Sequence, residues 1–267
     1  MEDVLTDIPP PSRFFQEDLS NFTPPPPPPL PSPFLVFSNP NNDKPLHPSL
    51  LVFAISSPSL HLLHHFSSKT LIGSVILPEI TFSGNTIEPS LKDKSCNVYS
   101  LDAAADNPIL LVSVQYFVVA ERSHAFAKLL IGGQIVPDRV LILDSVQSRN
   151  YRGKLSPDEA FALKLETSSE RRVSRGGSGS SSWLNSLEYF PSGSMIDGLA
   201  AALLGRCQMR KLRGTLCVSW PECGPSAMSL VKSVLFEDLF HGLELITDDD
   251  CELGKIETRH FDPELYT

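Results

Sequence analysis

The residues of this 267-residue chain that form a recognisable binding pattern lie at its carboxyl end, where Leu265 and Tyr266 precede Thr267 and its carboxylate. A terminal carboxylate can pair with a lysine at the floor of a pocket. The tyrosine ring offers a rigid apolar body with one polar tip, and the leucine can fill a neighbouring apolar slot. A chain that ends in a hydrophobic residue, a tyrosine and any last residue is therefore predicted to dock this tail into a pocket of another protein.

Three histidines, His61, His64 and His65, form the pattern closest to a metal site. On a helix, His61 lies three and four positions from the other two, which is close enough to share an ion. No carboxylate or cysteine stands nearby in the sequence to complete a ligand set. We therefore interpret the cluster as ordinary surface or interface histidines and expect no bound metal.

Two further features could belong to an enzyme. Asp144 follows a predicted strand, where α/β folds often place active-site carboxylates, but no nucleophile or base stands at a recognisable spacing from it. The glycines Gly176, Gly177 and Gly179 could cradle a phosphate, but no strand precedes them and no helix follows at once, which favours a flexible linker.

The sequence has no nucleophile elbow, Walker A loop or dinucleotide fingerprint. We therefore expect a non-enzymatic protein without a cofactor. The alternative is an α/β hydrolase or nucleoside-processing enzyme that uses Asp144 and a histidine.

Composition restricts the classes of partner and compartment. The net charge of −9 argues against a nucleic-acid binder, which usually has a basic face. The chain has no run of 18 apolar residues, which is the length that a membrane-spanning helix requires. The acidic amino-terminal segment also lacks the apolar region of a secretory signal. The five cysteines are odd in number and show no CxxC spacing, which indicates reduced, mostly buried thiols. These features predict a cytoplasmic protein, with the nucleus as a second possible location.

Residues 1–48 are predicted to be a proline-rich and largely disordered leader. Six consecutive prolines at 24–29 favour polyproline II, which can join neither a helix nor a sheet ladder. One alternative is that residues 24–33 recruit an SH3, WW or profilin-type partner, but no Arg or Lys flanks the run closely. Apolar residues such as Leu35 and Phe37 interrupt the leader and could still pack on the domain.

Residues 49–247 alternate between apolar runs and amphipathic stretches. This pattern predicts a single three-layer α/β domain with a mainly parallel sheet. A segment at 161–166 fits either an edge strand or a helical turn. The clearer elements are strands at 50–56, 71–77, 109–120, 139–146 and 212–220, and helices at 59–67, 121–130, 195–207 and 225–243.

Two segments are predicted to lack regular structure. Residues 168–193 begin with a run rich in Ser, Gly and Arg, which is typical of a mobile loop. Residues 248–267 start with three aspartates and form a polar tail that ends in the docking residues.

Three segments, taken in order, resemble the tail-bearing subunit of the proteasome assembly chaperones. Residues 196–218 look like that family's Ala-rich helix, which ends in a Cys-Gln pair and leads into an aliphatic strand. Residues 161–167, after a Ser-Pro turn, look like the matching loop and strand. Leu265, Tyr266 and Thr267 stand where the family has its docking tail. The likeness covers about the carboxyl-terminal two thirds of the chain, and the proline-rich leader has no counterpart.

The resemblance implies an α/β fold similar to nucleoside phosphorylases but without their active site. It implies a heterodimer with a second chaperone subunit that binds α-type proteasome subunits, supports α-ring formation and suppresses wrong association of α-rings. It also implies that the tail enters a pocket between adjacent α subunits and that the complex leaves as the core particle matures.

The same resemblance assigns a role to each tail residue. Leu265 would fill the hydrophobic slot, Tyr266 would pack against the pocket wall and hydrogen-bond there, and Thr267 would contribute its carboxylate. Asp262 and Pro263 would stiffen the approach, because proline restricts both itself and the residue before it.

Overall fold

The computed structural model describes residues 31–38, 45–66, 68–86, 90–101, 108–156, 159–175 and 184–238. Most of the leader, the three glycines of the Ser/Gly/Arg segment and the docking tail lie outside these residues. None of the helices in the described part is long and apolar enough to cross a bilayer.

Nine strands form one sheet in the described part of the chain. From one edge to the other, their order is β1-β3-β4-β5-β2-β6-β9-β7-β8. The strands are β1 Phe34–Phe37, β2 Leu50–Ala54, β3 Lys69–Ile76, β4 Cys96–Leu101, β5 Ile109–Val114, β6 Arg139–Ser145, β7 Phe161–Glu166, β8 Glu188–Tyr189 and β9 Arg213–Trp220.

The centre of the sheet is parallel and one of its flanks is antiparallel. Strands β5, β2, β6 and β9 run in the same direction. Strand β3 pairs antiparallel with β1 on one side and with β4 on the other, and β4 pairs antiparallel with β5. On the far side, β7 pairs antiparallel with β9 and parallel with the short β8. The parallel arrangement that the alternating strands and helices predicted is thus found in the middle of a mixed sheet.

The described residues form five helices, α1 Ser57–His64, α2 Ala120–Leu130, α3 Ser168–Arg175, α4 Gly198–Met209 and α5 Pro225–Asp238. Four of them cover the two faces of the sheet: α2 and α4 pack on one face, and α1 and α5 pack on the other. The predicted three-layer α/β domain is therefore confirmed.

Strand β2 shows why the apolar runs occupy the middle of the sheet. All five of its side chains are buried. Leu51 and Phe53 contribute to the core beneath α2 and α4, whereas Leu50 and Val52 contribute to the core beneath α1 and α5. A strand that is covered on both faces must be apolar at every position, which is the pattern that identified this strand in the sequence.

Several predicted boundaries were wrong. The leader does not extend to residue 48, because β1 already pairs with β3, and Leu46 forms a bridge with Ile135. The apolar run at 109–120 stops being a strand at Val114, and its end leads into α2. Strand β4 was not predicted, because its alternating polar residues gave no continuous apolar run.

The prediction of a mobile loop at 168–193 was wrong in its first part and in a short later segment. Residues Ser168–Arg175 form helix α3, and Glu188–Tyr189 form strand β8. The sequence predicted a loop because this segment begins with a run rich in Ser, Gly and Arg. What holds α3 in place is a buried ion pair rather than an apolar stripe.

Candidate functional site

A shallow crevice lies at the carboxyl end of β6, the edge at which parallel sheets usually bind ligands. Asp144 and Ser145 come from the strand itself. The opposite wall comes from the segment just before α4, which includes Met195 and Asp197. The residues that line the crevice are Asp144, Ser145, Gln147, Asn150, Phe190, Met195, Ile196 and Asp197.

Asp144 is the titratable group whose environment is most unusual in this crevice. Burial raises the pKa of its carboxyl to about 7, and the negative charges of Asp197 and Glu222 act in the same direction. The backbone N–H of Ser145 donates to Asp144 Oδ1 at 2.8 Å, which opposes the rise. Asp144 is therefore a carboxyl group that changes charge near neutral pH.

Asp197 directly precedes α4, at the N-cap position of the helix. Its side chain makes no capping hydrogen bond. Instead, its Oδ2 accepts hydrogen bonds from Asn150 Nδ2 at 2.8 Å and from Arg149 at 3.2 Å. Asp197 thus links α4 to the loop that follows β6 and forms a wall of the crevice.

The described lining of the crevice does not offer the partners of hydrolytic chemistry. Among the residues that the structure describes, neither a histidine nor a cysteine lines the crevice as a general base or nucleophile beside Ser145 or Asp144. The enzyme alternative required a histidine beside Asp144, and the described histidines His61 and His64 belong to α1 instead. The structure therefore does not favour the hydrolase or nucleoside-processing alternative.

The raised pKa of Asp144 gives the first testable prediction. A carboxyl that holds its proton more tightly in the folded protein destabilises that state as the pH rises from its ordinary pKa of 3.8 to about 7. Asparagine keeps the acceptor oxygen and does not titrate. We expect D144N to be more stable than the wild type by about 1–2 kcal/mol at about pH 8, a figure that allows for solvent screening.

Urea unfolding at several pH values measures this difference. The advantage of D144N should shrink as the pH falls from about 7 towards about 4, because the wild-type carboxyl becomes protonated in the folded state. A constant advantage across that range would contradict the assigned burial of a charged Asp144.

The three histidines gather at the carboxyl end of α1. The rings of His64 and His65 lie edge to face with their centroids 5.8 Å apart. Burial lowers the pKa of His61, and the neighbouring His65 and His64 lower it further. No group of three metal-ligating side chains of His, Cys, Asp or Glu occurs among the residues that the structure describes.

None of the described cysteines lines the crevice. Cys96, Cys207 and Cys217 are buried, as the sequence predicted for most of them, and Cys251 lies outside the described residues. Burial raises the pKa of the Cys207 and Cys217 thiols to about 12. At neutral pH these thiols remain protonated, which makes them poor nucleophiles.

A cluster of buried charges lies at the amino ends of β6 and β9, opposite the crevice. The sequence contained no motif that predicted it. Arg139 and Arg213 stand side by side at the starts of β6 and β9. Glu170 of α3, only 1% exposed, accepts hydrogen bonds from Arg139 and, at 3.0 Å, from Arg213 Nε. Burial lowers the pKa of Arg139 to about 10, and the charge of Glu170 opposes that effect.

A second buried pair extends the cluster to β8. Lys164 Nζ lies 3.1 Å from Glu166 Oε1, and the Tyr189 hydroxyl donates to Glu166 Oε2 at 2.7 Å. The cations of Lys164 and Arg171 lie 5.1 and 5.3 Å from the centroid of the Tyr189 ring. The charges therefore fix α3 and β8 to the sheet.

Comparison with known proteins identifies the fold. No protein-family model and no curated protein sequence matches this chain. Among solved structures, PbaA from Pyrococcus furiosus, an archaeal homolog of proteasome-assembly chaperone, aligns with a TM-score of 0.56 and 14% identity. The alignment covers 80% of this chain and 84% of PbaA. This chain has the fold of PbaA.

Two further structures support the same assignment of the fold. PbaB from Pyrococcus furiosus, an archaeal proteasome activator, aligns with a TM-score of 0.52 and 14% identity over 80% of this chain and 91% of PbaB. A protein of unknown function from Thermoplasma acidophilum aligns with a TM-score of 0.50 and 13% identity over 76% of this chain and 79% of its own. At such low identity the likeness to PbaA and these two proteins establishes the fold.

Proposed function

We propose that this chain is a non-enzymatic chaperone for assembly of the proteasome core particle, namely the tail-bearing subunit, proteasome assembly chaperone 1. The observation that carries the proposal is the combination of the PbaA fold with a carboxyl-terminal Leu265-Tyr266-Thr267. The fold comes from residues within the described part of the chain, whereas the tail lies outside it. The two observations are thus independent of each other.

In this proposal the chain works as a heterodimer with a second chaperone subunit in the cytoplasm or the nucleus. The heterodimer binds α-type proteasome subunits and supports formation of the α-ring. The tail docks into a pocket of that ring through the Leu265 side chain, the Tyr266 ring and the Thr267 carboxylate.

The energetics favour a tail that acts together with a larger interface. Three residues that lose their freedom on binding can contribute only a few kcal/mol, on the order of a hundredfold in affinity. A tail tethered to a bound domain has a high effective concentration near its pocket, so even this modest contribution raises the overall affinity. In this proposal the polar segment from residue 248 onward serves as the tether of the tail.

The crevice around Asp144 supports a non-enzymatic role. It lies at the edge where α/β enzymes hold their substrates, but the lining that the structure describes contains no histidine or cysteine. The two carboxylates of the crevice accept hydrogen bonds from within the domain. Asp144 accepts one from Ser145, and Asp197 accepts one from Asn150.

Removal of the last two residues tests the proposal. We expect a chain that ends at Leu265 to retain about a tenth or less of the co-purifying α-type subunits, because both the ring and the correctly placed carboxylate are lost. The measurement is affinity purification followed by quantitative mass spectrometry. The matched control is Thr267→Ala, which keeps the length and the carboxylate and should bind as the wild type does.

One added residue after Thr267 provides a second test. The extension leaves all native side chains in place but moves the carboxylate away from the floor of the pocket, so we expect the same loss as for the truncation. Unchanged recovery of α-type subunits in both variants would contradict the role of the tail.

A further inference from the structure

Helices α1 and α5 cover only part of one face of the sheet. Helix α1 packs on β2 and β5, and helix α5 packs on β7 and β9. Strands β1, β3 and β4 continue the same face. The register places Phe34 and Val36 of β1 opposite Ile76 and Ser74 of β3, and Leu71 opposite Tyr99 of β4. We call the surface formed by Phe34, Val36, Leu71, Ser74 and Ile76 the open face.

The open face is unusually apolar for an outer surface of an antiparallel sheet. Phe34 is 48% exposed, Val36 49% and Leu71 44%. Such strands ordinarily alternate apolar residues towards the core with polar residues towards water. Here Leu35 and Val75, on the other side of the same strands, already belong to the core. Apolar residues on both sides of a strand indicate that the outer side is also covered, in this case by another protein.

The charge distribution defines the chemistry of that protein. The chain carries 31 acidic residues and a net charge of −9, yet residues 45–78 contain no Asp or Glu. Strands β1 and β4 also lack acidic residues. The elements that form and border the open face instead carry Lys69 and the histidines of α1. The described strands β1, β3 and β4 thus present apolar side chains and a lysine but no carboxylate, which is complementary to an acidic partner.

Lys69 supplies a specific anchor at one end of the open face. Its Nζ donates to the carbonyl oxygens of Leu63 at 2.8 Å and His64 at 2.5 Å, at the end of α1, and lies 5.5 Å from the centroid of the Tyr99 ring. An ammonium group has three N–H donors, and the two carbonyls take two of them.

Among the residues that the structure describes, no carboxylate forms an ion pair with Lys69. Nζ lies in a crevice that Leu60, Leu63, Tyr99 and Ser113 help to line. Burial lowers the pKa of Lys69 to about 8. A carboxylate that entered the crevice would therefore meet a cation that is poorly solvated and already oriented.

We propose that the open face binds a second protein chain that presents a carboxylate beside apolar side chains. The carboxylate pairs with Lys69, and the apolar side chains cover Val36 and Leu71. Under the proposed function this chain is the second chaperone subunit, so its identification rests on that function. The surface itself lies within the folded domain and is separate from the docking tail.

Charge placed on the open face tests its apolar part. We expect Val36→Glu and Leu71→Glu each to weaken binding of the co-expressed and purified second chaperone subunit by about thirtyfold or more, as for central residues of an interface. Isothermal calorimetry measures the dissociation constant. The matched control is Met209→Glu, at an apolar position that is 63% exposed at the end of α4, and it should bind as the wild type does.

Lys69→Met tests the ionic part. Methionine keeps the apolar stem and removes the charge, so we expect binding to weaken by about tenfold and to depend less on salt concentration. The change in salt dependence separates loss of an ion pair from a general loss of structure, and thermal unfolding confirms that the variants fold.

The outcomes distinguish this inference from the proposed function. If the two glutamate variants bind the second subunit as tightly as the wild type, the inference is overturned, while the proposed function is judged by the tail truncation alone. If the wild-type chain does not bind the second subunit at all, the heterodimer of the proposed function fails and the identification of the partner fails with it.

Discussion

Replacing Glu170 with alanine is expected to lower the free energy of unfolding by about 3–5 kcal/mol, the usual cost of breaking a buried ion pair from one side. Glu170 is 1% exposed and Arg139 is 5% exposed. The alanine variant would leave the Arg139 guanidinium buried without the carboxylate that offsets its desolvation. Because the same carboxylate also binds Arg213, both strand starts would lose their link to α3.

Arg213 provides the matched control for Glu170. Its side chain is 33% exposed, so water can solvate part of its charge when the ion pair is absent. We therefore expect Arg213→Ala to cost about 1 kcal/mol, well below the cost of Glu170→Ala. Urea unfolding, followed by circular dichroism, measures both changes. A cost below about 1 kcal/mol for Glu170→Ala would show that the buried pair does not hold α3 in place.

Replacing Phe126 with alanine should have an effect of similar size through a different mechanism. Phe126 of α2 is completely buried, in the core that α2 and α4 share with the sheet. Removal of the ring loses its burial and leaves a cavity that the neighbouring side chains fill only in part. Changes of this kind cost about 3–5 kcal/mol.

Leucine at position 126 is the matched control, because it retains most of the buried apolar volume. We expect Phe126→Leu to cost about 1–1.5 kcal/mol in the same unfolding measurement. Equal costs for the alanine and leucine variants would contradict the tightly packed core described here. Neither variant alters the docking tail or the open face, so at temperatures where the variants remain folded both should still bind the partners that the wild type binds.

The surroundings of Phe126 belong to the part of the fold that the sequence predicts. Phe126 lies in the amphipathic stretch 121–130, which the sequence predicted as a helix within one residue of the observed start of α2. Strands β2 and β6 were also predicted close to their observed bounds, since continuous apolar runs occur where a strand is covered on both faces. These patterns depend on residues that are neighbours along the chain.

Helix α3 shows what such patterns miss. Its sequence is polar, and its place in the fold depends on Glu170 meeting Arg139 and Arg213, which are 31 and 43 positions away. The candidate site divides in the same way. Asp144 was identified from its position after a strand, but its raised pKa depends on the loop before α4, which the sequence could not place beside it.

The sequence by itself determined the α/β class and the apolar strands at the centre of the sheet, since each depends only on residue type and local spacing. For the same reason it is the source of the predicted docking role of Leu265, Tyr266 and Thr267. The tertiary structure alone decided the order of the strands, the buried charges around Glu170 and the exposed apolar side chains of the open face. These features arise when residues far apart in the chain come together and bury, or leave exposed, surfaces that no local pattern reveals.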